Sequence, residues 1–88
     1  MMNKMELINK ILVVADPMGL IYDDEEQYQE YVSESKSIAR YIEINNPGSH
    51  KLAKYIRQVF ISYFETCLEL DVCELMAECI IMNLNSEE

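Results

Sequence analysis

The chain has 88 residues, half of them hydrophobic, with 16 acidic side chains against 7 basic ones and a formal net charge of −9. A chain this short buries roughly 60 to 65% of its unfolded surface, so it holds one domain, residues 1–88, with little room for an internal catalytic cleft. The charge disfavours phosphate backbones and anionic membranes as partners, and a content of only two Gly and two Pro argues against disorder.

Apolar spacing predicts helices throughout and no sustained period-two strand. The first helix, about residues 4–15, sets Met5, Leu7, Ile8, Ile11, Leu12 and Ala15 on one broad face, and Pro17 and Gly19 end it. The second, about residues 24–43, opens on Asp23 as a candidate N-cap with Glu26 at the capping-box spacing. Its core stripe is Tyr28, Tyr31, Val32, Ser35, Ile38, Ala39 and Ile42. Asn45-Asn46-Pro47-Gly48-Ser49 is a turn cluster. The third helix, about residues 50–65, is expected to be capped by Ser49 and to bury Leu52, Ala53, Ile56, Val59, Phe60, Tyr63 and Phe64. The fourth, about residues 71–84, repeats the capping device with Asp71 and Glu74, and Val72, Leu75, Met76, Cys79 and Ile80 form its expected core side. The expected fold is an all-α, single-domain compact bundle of about four helices.

Charge is unevenly spread. Residues 23–34 carry six acids and no base, residues 35–64 a net charge of plus four, and residues 65–88 seven acids and no base. On the second helix Glu26, Glu30 and Glu34 recur at i, i+4 and i+8, read as opposite the core stripe, and Tyr41 is read onto the same face. Like charges at that spacing cost a few tenths of a kcal/mol per pair, and the helix dipole offsets this only in the first turn. A sequence chosen for helix stability alone would place Lys there. A solvated face without a role is the simplest account of this column. The functional account is a docking surface for a basic protein, in which Glu30 and Glu34 steer and pair, Tyr41 anchors, and Asp23 and Asp24 extend the field. A nucleic-acid mimic is a special case of that account.

Nothing in the chain has the arrangement of a catalytic, cofactor or metal site, and no enzyme activity is expected. His50 is the single histidine. Cys67, Cys73 and Cys79, six apart and odd in number, match neither a disulfide framework nor the C-x-x-C spacing of zinc sites, and are read as reduced and mostly buried. Lys51, Lys54 and Arg57 form a modest basic patch, expected to meet the acidic faces rather than nucleic acid. The apolar run from Ile11 to Ala15 is too short for a signal peptide or a membrane span, so a cytoplasmic protein is expected. Ile81, Met82 and Leu84 make the fourth helix apolar nearly all round, which points to a homodimer interface or a partner's groove, with fraying as the plain alternative.

The order of features carries a resemblance. The turn around Asp16-Pro17 and Leu20 comes first, then the acidic, Tyr-rich second helix. Leu52-Ala53-Lys54 then leads to Val59-Phe60-Ile61-Ser62-Tyr63-Phe64-Glu65, and Cys73 is followed by Met76-Ala77-Glu78. Over about residues 7–83 this resembles the YugE-like family, small bacterial all-helical proteins classed as a domain of unknown function. Members tend to have an aromatic just before the Asp-Pro pair, where this chain has Ala15. The resemblance implies a compact bacterial helical bundle and brings immunity proteins encoded beside toxins into view, with no catalytic residue to carry over. The expected function is a non-enzymatic acidic binding protein of the immunity or antitoxin type that neutralises a basic toxin or effector. The alternative is a small structural protein that self-associates through its C-terminal helix.

Overall fold

Asn3 begins the first helix, α1 (Lys4–Ala15), by accepting the Glu6 N–H on its side-chain oxygen at 2.8 Å, which satisfies one of the unpaired amides of the first turn. The computed structural model describes residues 3–19 and 30–86. Asp16 closes α1 in the left-handed region, φ 42°, with its N–H on the Leu12 carbonyl at 2.7 Å. Leu7, Ile8 and Leu12 are buried as expected, but Val13 is buried and Ala15 exposed. The reason lies in α2: Asn9 bonds to it, and Val13 stands one turn further along that same flank.

The second helix, α2 (Val32–Asn45), has Tyr31 at its N-cap without a side-chain cap bond, and Asn46 ends it in the left-handed region, φ 44°. The Asp23 cap and Tyr28 lie outside the described residues. In α3 (Ser49–Phe64) the cap position belongs to Gly48, not Ser49: Gly48 is extended and its carbonyl accepts the Leu52 N–H at 3.0 Å, so Ser49 is already helical. Glu65 ends α3 at φ 56°. The Asp71 cap is likewise corrected. The carbonyl of Glu69 takes the Cys73 N–H at 3.2 Å, which puts Asp71 inside the first turn of α4 (Leu70–Ser86).

The described residues thus form an all-α four-helix bundle without strands. Each helix packs on its neighbours in sequence, most extensively α3 on α4, and α4 closes the ring by packing on α1. Tyr31 sits at the centre, fully buried, with its ring 6.0 Å from Phe60 and 6.3 Å from Phe64. Its hydroxyl donates to Asp16 Oδ1 at 2.7 Å and accepts the Met18 N–H at 3.2 Å, which ties the start of α2 to the end of α1. Ser35 Oγ donates to the Tyr31 carbonyl at 2.7 Å and lies 3.2 Å from Asn9 Oδ1. Among the described residues no buried side-chain N or O lacks a hydrogen-bond partner, as a low-dielectric core requires.

The largest departure from the sequence reading is the rotation of α4. Its buried residues are Cys73, Met76, Ala77 and Ile80, with Ile81 and Leu84 packed partly against the core. Val72, Leu75 and Cys79 are exposed instead. At 100° per residue the buried stripe is centred about a quarter-turn from the one expected. Two of the four buried residues, Cys73 and Ala77, one turn apart, are small, which favours close packing against a neighbouring helix.

Candidate functional site

The acidic column does not assemble as expected. Glu30 lies half-buried in the turn before α2, so it shares no helical face with Glu34. Glu34 is only 4% exposed. It stands four residues before Ile38, about 40° from it around the helix, and therefore on the flank of the core rather than opposite it. Burial raises its carboxyl above the ordinary 4.5, partly offset by a hydrogen bond from its own backbone N–H. Tyr41 is half-buried and stacked on Tyr55 of α3, ring centroids 3.9 Å apart and planes 8° apart, so one of its faces is taken. Asp23, Asp24 and Glu26 lie outside the described residues.

Negative charge is exposed elsewhere, at the α3–α4 connection. Glu65, Glu69 and Asp71 are exposed within seven residues of chain, just beyond the C-terminal end of α3, whose last turn holds no basic residue. The partial negative charge of the terminal carbonyls adds to theirs. Tyr63, expected in the core, is 50% exposed at the same end, its hydroxyl 3.3 Å from Ser37 Oγ. Arg57 is the nearby cation, and its Nε donates to Cys67 Sγ at 3.1 Å rather than to a carboxylate. Among the described residues the ion pairs are Lys4 with Glu43 at 3.9 Å and His50 with Glu74 at 3.5 Å, the latter charged only when the imidazole is protonated. Glu65, Glu69 and Asp71 take part in neither. Lys51, Lys54 and Arg57 form no salt bridge with a described carboxylate. They border a cleft of about 390 Å³ beside Tyr41 and Tyr55.

A second surface lies between α1 and α4, an open groove of about 490 Å³ lined by Leu7, Ile11 and Val14 on one side and Leu75, Met76 and Cys79 on the other. Val14 is 79% exposed, and Leu75 and Met82 are each 68% exposed. Of the three residues expected to carry self-association, only Met82 is on the outside; Ile81 and Leu84 turn partly into the core. The rotation of α4 is the cause. Leu75 and Cys79 take their place as the outward apolar residues. The sequence signals that point here are Val13-Val14, two adjacent branched residues that cannot both face inward, and the base-free acidic run after residue 64.

The three cysteines are free, and only Cys73 is buried; Cys67 falls in the α3–α4 connection and Cys79 on the outer face of α4, which corrects the expectation that they are core residues. Burial pushes the Cys73 thiol up, against the opposing pull of Arg57. Among the described residues no three His, Cys, Asp or Glu side chains converge where they could hold a metal ion, and no helix is long and apolar enough to cross a membrane.

Fold and surface together define a small all-α bundle that offers contact faces. Comparison with protein-family models, with curated proteins and with solved structures returns no match.

Proposed function

We propose that this is a non-enzymatic binding protein of the immunity or antitoxin type, which neutralises a basic protein partner, and that the α3–α4 connection is its docking surface. The observation that carries the reading is the exposed set Glu65, Glu69 and Asp71 beyond the C-terminal end of α3, whose last turn holds no basic residue, with Tyr63 exposed in that turn. Carboxylates in such an array steer a basic partner and speed its capture, while a Tyr ring supplies contact area at little entropic cost. The preference for Tyr63 over Tyr41 rests on exposure: Tyr41 already spends one ring face on Tyr55. Glu30 is half-buried, and Asp23, Asp24 and Glu26 lie outside the described residues. Glu34, being buried, contributes no contact. Proteins of this class, as in the YugE-like resemblance, need no catalytic group, only complementarity to one target.

The test is affinity capture from the source organism with the wild-type chain and the Glu65→Lys, Glu69→Lys, Asp71→Lys variant, followed by stopped-flow association with the captured protein. The expected partner has a high isoelectric point, elutes with salt, and associates at least about tenfold more slowly with the variant. A partner bound equally well by both chains, with a flat salt dependence, would overturn the reading.

A further inference from the structure

Lys51, Lys54 and Arg57 are three of the seven basic residues in a chain of net charge −9, and they recur at i, i+3 and i+6 along α3. Their placement costs the helix stability. Like charges at i, i+3 repel, and Lys51 lies in the first turn, where the positive end of the helix dipole disfavours a cation. No described carboxylate offsets that cost with a salt bridge, not even Glu69 or Asp71, which stand in sequence on either side of Leu70 at the border of the same cleft.

All three cations line one open cleft of about 390 Å³, a size within the range of about 300–1,000 Å³ typical of small-molecule sites. Tyr41 and Tyr55 line it too, and their stacking, centroids 3.9 Å apart and planes 8° apart, holds each ring against the other. Arg57 is anchored as well: its Nε donates to Cys67 Sγ at 3.1 Å, which leaves its two terminal amino groups for an anion. Gln58 adds a side-chain amide. The chemistry that answers this lining is a phosphate for the cations and a flat ring for the tyrosines. A phosphate monoester carries close to two negative charges at neutral pH, and aromatic rings pack favourably on tyrosine. A long phosphate backbone would meet the field of the whole acidic chain, whereas a single ester meets the cations of the cleft. We propose that this cleft binds a small aromatic phosphate ester of the mononucleotide class, with Lys51, Lys54 and Arg57 on the phosphate and the tyrosine pair against the ring. The site goes beyond the basic-partner reading and does not depend on it, because Glu65, Glu69 and Asp71 do not line the cleft.

The test is isothermal titration calorimetry of the full chain at low salt with AMP, with ribose 5-phosphate, which lacks the ring, and with adenosine, which lacks the phosphate. AMP should bind saturably at one site per chain, and each fragment at least about tenfold more weakly. Lys51→Gln with Lys54→Gln, both at exposed positions, should keep the circular dichroism spectrum and weaken AMP binding at least about tenfold. Lys10→Gln, on α1 and outside the cleft, should leave binding within about twofold of wild type. Absence of saturable AMP binding, ribose 5-phosphate bound as tightly as AMP, an equal loss in Lys10→Gln, or a single-stranded oligonucleotide bound more tightly than AMP would each overturn the assignment. Capture of a basic partner is scored separately with the Lys51→Gln, Lys54→Gln chain, so failure of one reading leaves the other measurable.

Discussion

Glu34 is 4% exposed as a residue, and the burial of its side chain costs the fold something whenever the carboxylate is charged. Its folded-state pKa is raised by burial, so the folded chain holds the proton more tightly than the unfolded one. Stability therefore falls as pH rises from the unfolded value near 4.5 through the folded value, and the full penalty applies above both. Glu34→Gln removes the charge and keeps the shape. At pH 7 it should raise the midpoint of denaturant unfolding, and the gain should fade as pH falls well below 4.5, where the carboxyl is protonated in both states. A variant no more stable than wild type at pH 7 would mean that solvent reaches the carboxylate. The sequence hid this residue because the i, i+4, i+8 pattern of Glu26, Glu30 and Glu34 assumes one continuous helix, whereas α2 is described from Val32 onward, with Glu30 in a turn. The same pattern reading correctly buried Tyr31, Ser35, Ile38 and Ala39, since branched and aromatic side chains at core spacing have few other places to go.

Elements show where sequence and structure part. The bounds of α1 came out as expected, because Asp16-Pro17 leaves a helix no continuation. The rotation of α4 did not, because a helix apolar nearly all round offers several faces, and the face it buries includes the small residues Cys73 and Ala77, which periodicity weights least. Helix ends carry a second lesson. Glu65 closes α3 at φ 56°, a conformation that glycine adopts freely and that costs an ordinary side chain roughly 1 kcal/mol. Retaining a charged residue there fits a role for its carboxylate in binding. Glu65→Gly should therefore raise stability by about 1 kcal/mol in denaturant unfolding while slowing association with a basic partner. Faster or unchanged association would take Glu65 out of the docking surface.

Over the whole molecule, charge sets the response to salt. The principal extents are 32, 31 and 19 Å, and the Debye length is about 30 Å at 0.01 M ionic strength but about 8 Å at 0.15 M. At low salt, then, the acidic excess acts across the entire bundle, and none of the four helices has a basic last turn to offset its dipole. Raising the salt from the lower to the higher value should lift the Tm by a few degrees, on the order of 0.5–1 kcal/mol of relieved repulsion, measured at low micromolar protein so that self-association stays out of the reading. A flat or falling Tm would show that local pairs outweigh the net charge.

The ring of helices also dictates an order of events in time. α3 and α4 are joined by a short connection and share the most extensive contact, so they can meet early, whereas α1 and α4 bracket the chain and must find each other across its full length. On the ribosome α1 emerges before α4, so Leu7, Ile8 and Leu12 wait for part of their shelter until the fourth helix has been made. Of the four helices in the ring, the earliest made is thus among the last to complete its packing.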